Sequence, residues 1–356
     1  MRKVIYLTLG LFLIFALTAS AEKKKTKEKE KDGYHFTDLK RLPTTSVKSQ
    51  DRAGTCWSWS TISFLESEMM RLGKDSVSLS PLFVVWNTYN GKADKYVRMH
   101  GKVNFGQGGA SADVTWAIKN YGIVPLSVYS GLNYGEDVHV HGELDDVLKG
   151  YVDAIVKNSN KKLSTAWKRG YDAVLDAYLG AKPEKFTWKG KEYTPQTFTK
   201  EVTGLNMDDY ISLTSFTHHP FYEQFALEVP DNWIGEMSYN IPLDEMMDLL
   251  DKAIDKGYSF AWGSDVSEKG FARKGLAVVP EVDTKEMSDA EIEKWVKMPQ
   301  KDKDAELLKR PGKEKEITQE LRQQEFDNYL TTDDHGMHII GKAVDQLGHK
   351  YFIVKN

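Results

Sequence analysis

The sequence predicts an α+β fold, with helices in the first and middle parts of the chain and antiparallel strands at its end. Three observations support this class. A helical pattern follows Cys56, the only cysteine among the 356 residues. Two amphipathic helix patterns cover residues 144–157 and 163–179. The last 22 residues form two apolar runs on either side of a turn at residues 345–349, which is typical of a hairpin.

The amino terminus has the composition of an export signal. Residues 1–3 include two basic side chains, residues 4–17 are apolar, and Ala19-Ser20-Ala21 gives a small-x-small cleavage pattern. We therefore expect a secretory signal peptide over residues 1–21, cleaved after Ala21, and a periplasmic or secreted protein. A retained signal anchor is the alternative. No later stretch is long and apolar enough to span a bilayer, so we expect no integral membrane segment after signal removal.

Composition also limits the partners of the mature chain. Residues 22–33 are mostly Lys and Glu, which predicts a solvated charged linker. Loss of Arg2 and Lys3 with the signal takes the net charge from −4 to −6, which argues against a nucleic-acid partner. A single cysteine cannot form an internal disulfide. In an exported protein, an unpaired cysteine indicates a reactive thiol or intermolecular pairing.

Cys56 is predicted to lie in the first turn of a helix. Gly54 allows a tight turn before it, Gly73 ends the helical pattern, and the apolar face is formed by Ile62, Leu65, Met69 and Leu72. Unpaired N–H groups and the positive end of the helix dipole favour a thiolate, which is the nucleophilic form. Gln50 is an uncharged donor on the entering loop. The alternative interpretation is that Cys56 is a buried, small apolar side chain.

The segment Gln50-Asp51-Arg52-Ala53-Gly54-Thr55-Cys56-Trp57 resembles the nucleophile motif of the papain superfamily of cysteine peptidases. Ala53 replaces the first cysteine of that motif, so the disulfide of secreted papains is absent. The resemblance implies a two-lobe fold, with Cys56 as the nucleophile. Gln50 and the Cys56 N–H would stabilise the oxyanion, and Gly108 and Gly109 would line the extended substrate. A tight turn before a helix over 112–121 is the structural alternative for these glycines.

The carboxyl-terminal hairpin is predicted to bring a base and an amide together. A turn centred near residue 346 places His335 opposite the position that follows Asn356. A thiol, an imidazole and an amide form a Cys-His-Asn triad, in which the amide orients the base. Gly336 matches the small residue that follows the catalytic histidine in the family. His338 has the opposite parity on the strand, so we expect it to be packed or hydrogen-bonded elsewhere.

The order of motifs is similar to that of bleomycin hydrolase and aminopeptidase C. These motifs are a Phe186-Thr187-Trp188 strand, a Thr194-Pro195 helix start and a strand over 259–266. His335 follows Cys56 by 279 residues, against roughly 130–150 in plain papain-like chains, which fits a large insertion. The resemblance implies three domains: a helical lobe over 34–125, a helical family-specific insertion over 126–240, and an antiparallel β lobe over 241–356.

This branch implies a cysteine aminopeptidase that hydrolyses peptide substrates through a covalent thioacyl intermediate, without a cofactor. Its relatives form hexamers, so a homo-oligomer is one expectation. The alternatives are a papain-like endopeptidase and a catalytically silent binding or assembly protein. Relatives continue past the triad asparagine with Ser-Trp-Gly, further strands and an arm that restricts cleavage to free amino termini. We therefore expect the sequence to be a fragment that lacks these strands, and its residues leave amino- and endopeptidase activity undecided.

Two histidine pairs have spacing that suits metal ligands. They are His139-Val140-His141 and His218-His219. Neither pair has an acidic or thiol partner at a recognisable distance in the sequence. We therefore expect both pairs to lie in solvent loops and predict no metal site.

Overall fold

The computed structural model describes residues 33–267, 270–272, 275–281 and 287–356. The predicted signal peptide and all but the last residue of the predicted charged linker lie outside these residues. The described residues divide into two compact units: unit 1 comprises residues 33–39, the described part of Ser267–Glu316 and Lys342–Tyr351, and unit 2 comprises Lys40–Val266, Ile317–Gly341 and Phe352–Asn356. Among the described residues, no helix has both the length and the apolar character that crossing a membrane requires.

Strand β1 is followed by the helices of unit 2. These elements are β1 (Thr37–Arg41), α1 (Cys56–Arg71), α2 (Pro81–Arg98), α3 (Ser111–Tyr121), α4 (Gly142–Val156) and α5 (Ala166–Leu179). Helix α2 begins with an N-cap, because the Ser80 hydroxyl accepts the N–H of Phe83 at 3.1 Å ahead of Pro81. Leu65 and Met69 on α1 are fully buried, as predicted. Leu72 is exposed, since it caps the helix beyond the buried face.

The middle of unit 2 contains short strands, two α-helices, a π-helical turn (Thr199–Thr203) and a 3-10 turn (Met207–Asp209). The strands and α-helices are β2 (Phe186–Trp188), β3 (Lys191–Tyr193), α6 (Pro195–Phe198), β4 (Leu213–Thr214), β5 (Gln224–Ala226), β6 (Met237–Asn240), α7 (Leu243–Asp255) and β7 (Phe260–Ser264). The predicted strand at Phe186–Trp188 is β2, and it forms an antiparallel hairpin with β3. Lys189 and Gly190 form its turn with φ values of 47° and 81°, which match the twist of the two strands. In the next sheet, β6 pairs antiparallel with β5 and parallel with β4.

Unit 1 contains a short β-ladder and two helices. Its elements are β8 (Phe271–Ala272), β9 (Leu276–Ala277), α8 (Asp289–Lys297) and α9 (Gln300–Leu307). Helix α8 begins with a capping box, in which the Ser288 hydroxyl accepts the N–H of Glu291 and the Glu291 carboxylate accepts the N–H of Ser288. Tyr351 in this unit packs edge-on against Phe36 at 5.0 Å between ring centroids.

A four-stranded sheet carries the predicted carboxyl-terminal hairpin. Helix α10 (Gln319–Asp327) precedes the hairpin strands β10 (His335–Val344) and β11 (Lys350–Lys355). The order is β1-β10-β11, and β7 pairs antiparallel with β10 from His335↔Ser264 to Ile339↔Phe260. The turn closes where the Asp345 N–H donates to the His349 carbonyl at 3.1 Å, one residue beyond the predicted centre. His335 and Asn356 therefore lie at the open end of the hairpin.

Candidate active site

Cys56 is the first residue of α1, as the sequence predicted. Its side chain is half-buried and forms no disulfide. Thr55 occupies the N-cap with φ −118° and ψ 23°, and its side chain makes no capping hydrogen bond. The first N–H groups of a helix have no partner within the helix, and they carry the positive end of its dipole. This environment stabilises negative charge near the sulfur.

His335 lies between Cys56 and Asn356. Its Nε2 is 2.7 Å from Asn356 Oδ1, and because an amide oxygen only accepts, Nε2 carries the hydrogen and donates it. Nδ1 is thereby left as the nitrogen that faces the thiol. A hydrogen bond with Cys56 raises the pKa of His335, burial opposes that rise, and the bond to Asn356 adds to it. The structure thus brings the three predicted triad residues together.

Gly336 connects the β10 backbone directly to the sulfur. Its N–H donates to Cys56 Sγ at 3.4 Å. A Cβ at this position would lie 2.8 Å from Ser60 Oγ and 3.1 Å from Trp57 Cα. The small residue after His335 is therefore required here, because β10 packs directly on the first turn of α1.

Gln50 lies on the loop that leads into α1, as predicted. Its Nε2 donates to the carbonyl of Ala53 at 2.9 Å and so closes a turn three residues before Cys56. The next residue along, Gly54, donates its N–H to Gln107 Oε1 at 2.7 Å. The loop is therefore held by its own backbone and by the glycine-rich segment. The role of Gln50 in stabilising an oxyanion stays a prediction.

Gly108 and Gly109 lie where neighbouring groups leave no room for a side chain. A Cβ on Gly108 would be 2.2 Å from Asp231 Oδ2. A Cβ on Gly109 would be 2.6 Å from Asp113 Oδ2 and 2.8 Å from Trp57 Cε2. Neither glycine has a positive φ, so close approach is the reason for both. Sequence reasoning missed Asp231, because none of the motifs that carry the family resemblance includes it.

Two further side chains tie the glycine-rich segment to the nucleophile helix and to α2. Trp57 Nε1 donates to the Gln107 carbonyl at 3.0 Å. Lys92 Nζ donates to the Gly106 carbonyl at 3.1 Å and also to the Gly108 carbonyl. Sequence reasoning missed Lys92 and Gln107. Gln107 could have been noticed as the polar residue within the glycine-rich segment, but nothing near Lys92 in the sequence marks it.

A buried pair of opposite charges lies behind this segment. Lys92 on α2 and Asp113 on α3 are both buried. Burial lowers the pKa of Lys92, and the nearby carboxylates of Asp113 and Asp231 oppose that change. Burial raises the pKa of Asp113 to about 7, and Lys92 opposes that rise. The lysine thus supplies the charge that allows carboxylates to lie beside Gly108 and Gly109.

The expectation that His139 and His141 lie in a solvent loop is wrong. Both side chains are buried, and the His139 ring packs edge-on against Trp59 at 5.4 Å. The Arg52 N–H donates to the His139 carbonyl at 2.8 Å, and the His141 N–H donates to the Arg52 carbonyl at 3.2 Å. This short parallel bridge draws the segment inward and braces the loop that carries Gln50.

His338 is packed and hydrogen-bonded, as predicted for the histidine of opposite parity. It is fully buried, and its Nδ1 is 2.9 Å from Ser63 Oγ on α1. Burial lowers its pKa to about 3, so the ring stays neutral at physiological pH. It supports the contact between β10 and α1 and takes no part in the Cys56–His335–Asn356 arrangement.

The fold is that of the papain-like cysteine peptidases. A model of the Peptidase C1-like family matches residues 92–307, which is more than half of the chain, so the chain belongs to this family. The matched range lies between Cys56 and His335 in the sequence. The resemblance that the motifs indicated is thereby confirmed at the level of family and fold.

Individual relatives agree with this family. Aminopeptidase C from Lactobacillus delbrueckii subsp. lactis is 26% identical over 277 residues, covering 66% of this chain and 62% of that protein. Aminopeptidase E from Lactobacillus helveticus is 23% identical over 271 residues, covering 63% and 60%. The chain thus matches less than two thirds of the length of these curated relatives. The crystal structure of PepW from Lactobacillus rhamnosis HN001 has a TM-score of 0.63 and 20% identity, covering 89% of this chain and 78% of that one.

Proposed function

We propose that this protein is a cysteine peptidase that cleaves peptide bonds with a Cys56–His335–Asn356 triad. The observation that carries the proposal is the position of His335. It donates Nε2–H to Asn356 at 2.7 Å and forms a hydrogen bond with Cys56. An imidazole held by an amide on one side, with a thiol on the other, is an activated nucleophile pair.

The reaction follows from this geometry. His335 Nδ1 takes the thiol proton, and Cys56 Sγ attacks the scissile carbonyl carbon. The Cys56 N–H and the Gln50 amide stabilise the oxyanion. The imidazolium then gives its proton to the leaving amine as the C–N bond breaks, which leaves a thioester on Cys56. A water molecule, deprotonated by His335, hydrolyses the thioester and regenerates the thiol.

Aminopeptidase activity is the finer form of the proposal. Relatives named aminopeptidase C and aminopeptidase E support it. The chain adds an acidic group in a suitable position, since the Asp231 carboxylate lies against Gly108, where the substrate backbone would run. A carboxylate there would attract the α-ammonium group of a peptide. The alternative, an endopeptidase, would gain nothing from that charge.

The nucleophile is tested by replacement and by alkylation. Cys56→Ala should abolish hydrolysis of an aminoacyl fluorogenic substrate, while circular dichroism and the melting temperature stay close to those of the unmodified chain. Iodoacetamide should modify Cys56 much faster than free cysteine at neutral pH. Activity retained in Cys56→Ala would refute the triad. Slow alkylation of Cys56 together with no hydrolysis of the substrate would favour the alternative that the chain is a catalytically silent binding or assembly protein.

Substrate choice is tested with matched peptides. An aminoacyl substrate with a free amino group should be cleaved at least ten times faster than its N-acetylated form. Asp231→Asn should reduce the ratio of the two cleavage rates, because it should raise KM for the substrate with a free amino group and leave KM for the N-acetylated substrate unchanged. Equal cleavage of both substrates, with internal cuts in a longer peptide, would identify an endopeptidase instead.

We also propose export through residues 1–21 and a homo-oligomer in solution. The signal-like amino terminus supports export, and the resemblance to hexameric relatives supports assembly. Amino-terminal sequencing of the mature protein should begin at Glu22, and a retained Met1 would contradict cleavage after Ala21. Recovery of the protein from the cytoplasm alone would contradict export. Light scattering should give a multiple of the chain mass, and a monomer at micromolar concentration would contradict assembly.

A further inference from the structure

A second cluster of titratable side chains lies outside the triad. His218 Nε2 is 2.7 Å from Glu228 Oε2, and His219 Nε2 is 3.3 Å from Glu228 Oε1. One potential ligand atom from each of the three residues lies within 4.8 Å of the others. Two imidazole nitrogens therefore converge on one carboxylate, although the sequence shows no acidic residue next to the histidine pair.

The backbone of the two histidines is fixed by a buried amide. Asn240 has no exposed surface, and the two hydrogens of its Nδ2 are shared among three carbonyls, those of Phe216 at 2.8 Å, His219 at 3.0 Å and Pro220 at 3.1 Å. Its Oδ1 accepts the N–H of Phe216 at 2.9 Å. A single buried side chain thus holds both ends of the turn that presents the imidazoles.

The rings are fixed as well. His219 stacks on Phe225 with 4.1 Å between centroids and an interplanar angle of 20°. His218 lies nearly parallel to Phe326, at 5.7 Å and 15°. Glu228 is the adaptable member, since its side chain is 60% exposed against 27% for His218 and 35% for His219. Ligand groups held in advance reduce the cost of binding.

A buried amide also contacts the other nitrogen of His218. Gln323 is buried, and its Oε1 and Nε2 lie 3.3 Å and 3.0 Å from His218 Nδ1. Oε1 also accepts the N–H of Thr217 at 2.6 Å, which fixes the amide. A histidine that binds a metal through Nε2 needs an acceptor for its Nδ1–H, and Gln323 Oε1 can serve. When His218 Nδ1 carries no hydrogen, Gln323 Nε2 can donate to it instead. The Gln323 amide therefore suits both tautomers of His218 without turning over.

We propose that His218, His219 and Glu228 bind one divalent cation of the zinc class. Two imidazoles and a carboxylate are ligands that Zn²⁺ prefers, at about 2.0–2.2 Å, with water in the fourth position. Tetrahedral ligands at that radius lie about 3.4 Å apart. The three ligand atoms already lie within 4.8 Å of one another, and Glu228 is the exposed member that can adjust. The bound ion would link residues 218–219 to residue 228 across the segment that contains β5.

The measurement uses full-length Cys56→Ala, because the Cys56 thiolate and His335 could also bind zinc. Calorimetric titration with Zn²⁺ should give one site per chain and a higher melting temperature. In the same background, His219→Ala and Glu228→Gln should each weaken binding at least tenfold without changing the far-ultraviolet circular dichroism. Co²⁺ in place of Zn²⁺ should give the visible bands of a four-coordinate site.

The chain offers a matched control. His349 Nδ1 lies 2.9 Å from Asp345 Oδ2, which is a histidine–carboxylate pair without a second histidine. His349→Ala should leave the zinc affinity unchanged. The proposal is overturned if Cys56→Ala binds no zinc at millimolar concentration, if His219→Ala and Glu228→Gln leave the affinity intact, or if His349→Ala weakens it as much as they do.

Discussion

Gly336 donates its backbone N–H to Cys56 Sγ at 3.4 Å, so the residue that follows the candidate base touches the candidate nucleophile. The separation of the imidazole and the thiol is therefore set by how β10 packs on the first turn of α1. Side-chain rotation alone cannot correct an error in that packing. The room for this contact exists because residue 336 has no Cβ.

Gly336→Ala should therefore reduce kcat/KM by at least tenfold. The added methyl would lie 2.8 Å from Ser60 Oγ and 3.1 Å from Trp57 Cα, which forces β10 away from α1. Misplacement of reacting groups by about 1 Å can cost roughly 100-fold in rate. Gly150→Ala is the matched control, since nothing lies within 4 Å of a Cβ there. Equal activity of the two variants would show that this packing does not position the triad.

Asn356→Ala should lower activity and change its pH dependence. The hydrogen bond from Nε2 to Asn356 is one of the causes that raise the pKa of His335, so its loss should lower that pKa. The alkaline limb of kcat/KM, where the imidazolium loses its proton, should then move to lower pH, with the maximum reduced by roughly 10- to 100-fold. Asn160→Ala, at an exposed loop position, should leave the profile unchanged. A lower rate with an unmoved alkaline limb would argue that Asn356 acts on something other than His335.

The features that could be predicted from the sequence are those that local rules determine. Apolar residues spaced three and four apart predict a helix that begins near Cys56, and Gly73 predicts where it ends. Both signals lie within twenty residues of Cys56. A hairpin likewise brings its two ends together whatever surrounds it, so His335 and Asn356 meet as predicted. The centre of the turn lies one residue later than expected, because the Asp345 N–H donates to the His349 carbonyl. Gly348, within this turn, has a φ of 91°.

The features that could not be predicted depend on contacts between distant segments. Arg52 hydrogen-bonds to residues 139 and 141, and this backbone bridge buries two histidines that spacing alone assigns to solvent. Gln107 accepts the N–H of Gly54, and the glycines beside Gln107 do not specify that partner. Lys92 donates to the Gly106 carbonyl, and nothing near Lys92 in the sequence marks it. Such contacts follow from how the helices pack, which periodicity does not specify.

Lys92→Met should raise KM by roughly tenfold with little change in kcat. The substitution removes two hydrogen bonds from a charged donor to the Gly106 and Gly108 carbonyls, each worth about 1.5–3 kcal/mol, part of which repacking recovers. It also removes the cation that opposes the raised pKa of Asp113, so that carboxyl should be protonated at pH 7. Lys102→Met, at an exposed position, is the control. A fall in kcat at constant KM would mean that the segment positions the triad rather than the substrate.

Acid should destabilise the folded chain partly through His141. This ring is fully buried, neither of its nitrogens has a hydrogen-bond partner among the described residues, and burial lowers its pKa to about 4. Between the ordinary value of about 6.5 and 4, the unfolded chain binds a proton that the folded chain does not. Stability contributed by the neutral ring is therefore complete above pH 6.5 and is lost as the pH falls, by about 2 kcal/mol at pH 5.

His141→Leu should therefore lose less stability than the unmodified chain between pH 7.5 and pH 5, as measured by the urea midpoint at each pH. The leucine fills the buried site without a group that gains a proton in the unfolded state. His100→Asn is the matched control, because residue 100 is exposed and has a φ of 55°, which asparagine tolerates. His100→Asn should lose as much stability as the unmodified chain between pH 7.5 and pH 5. If the two variants keep the same acid slope, then His141 does not resist protonation in the folded state, and the acid sensitivity would have to come from another buried histidine such as His338.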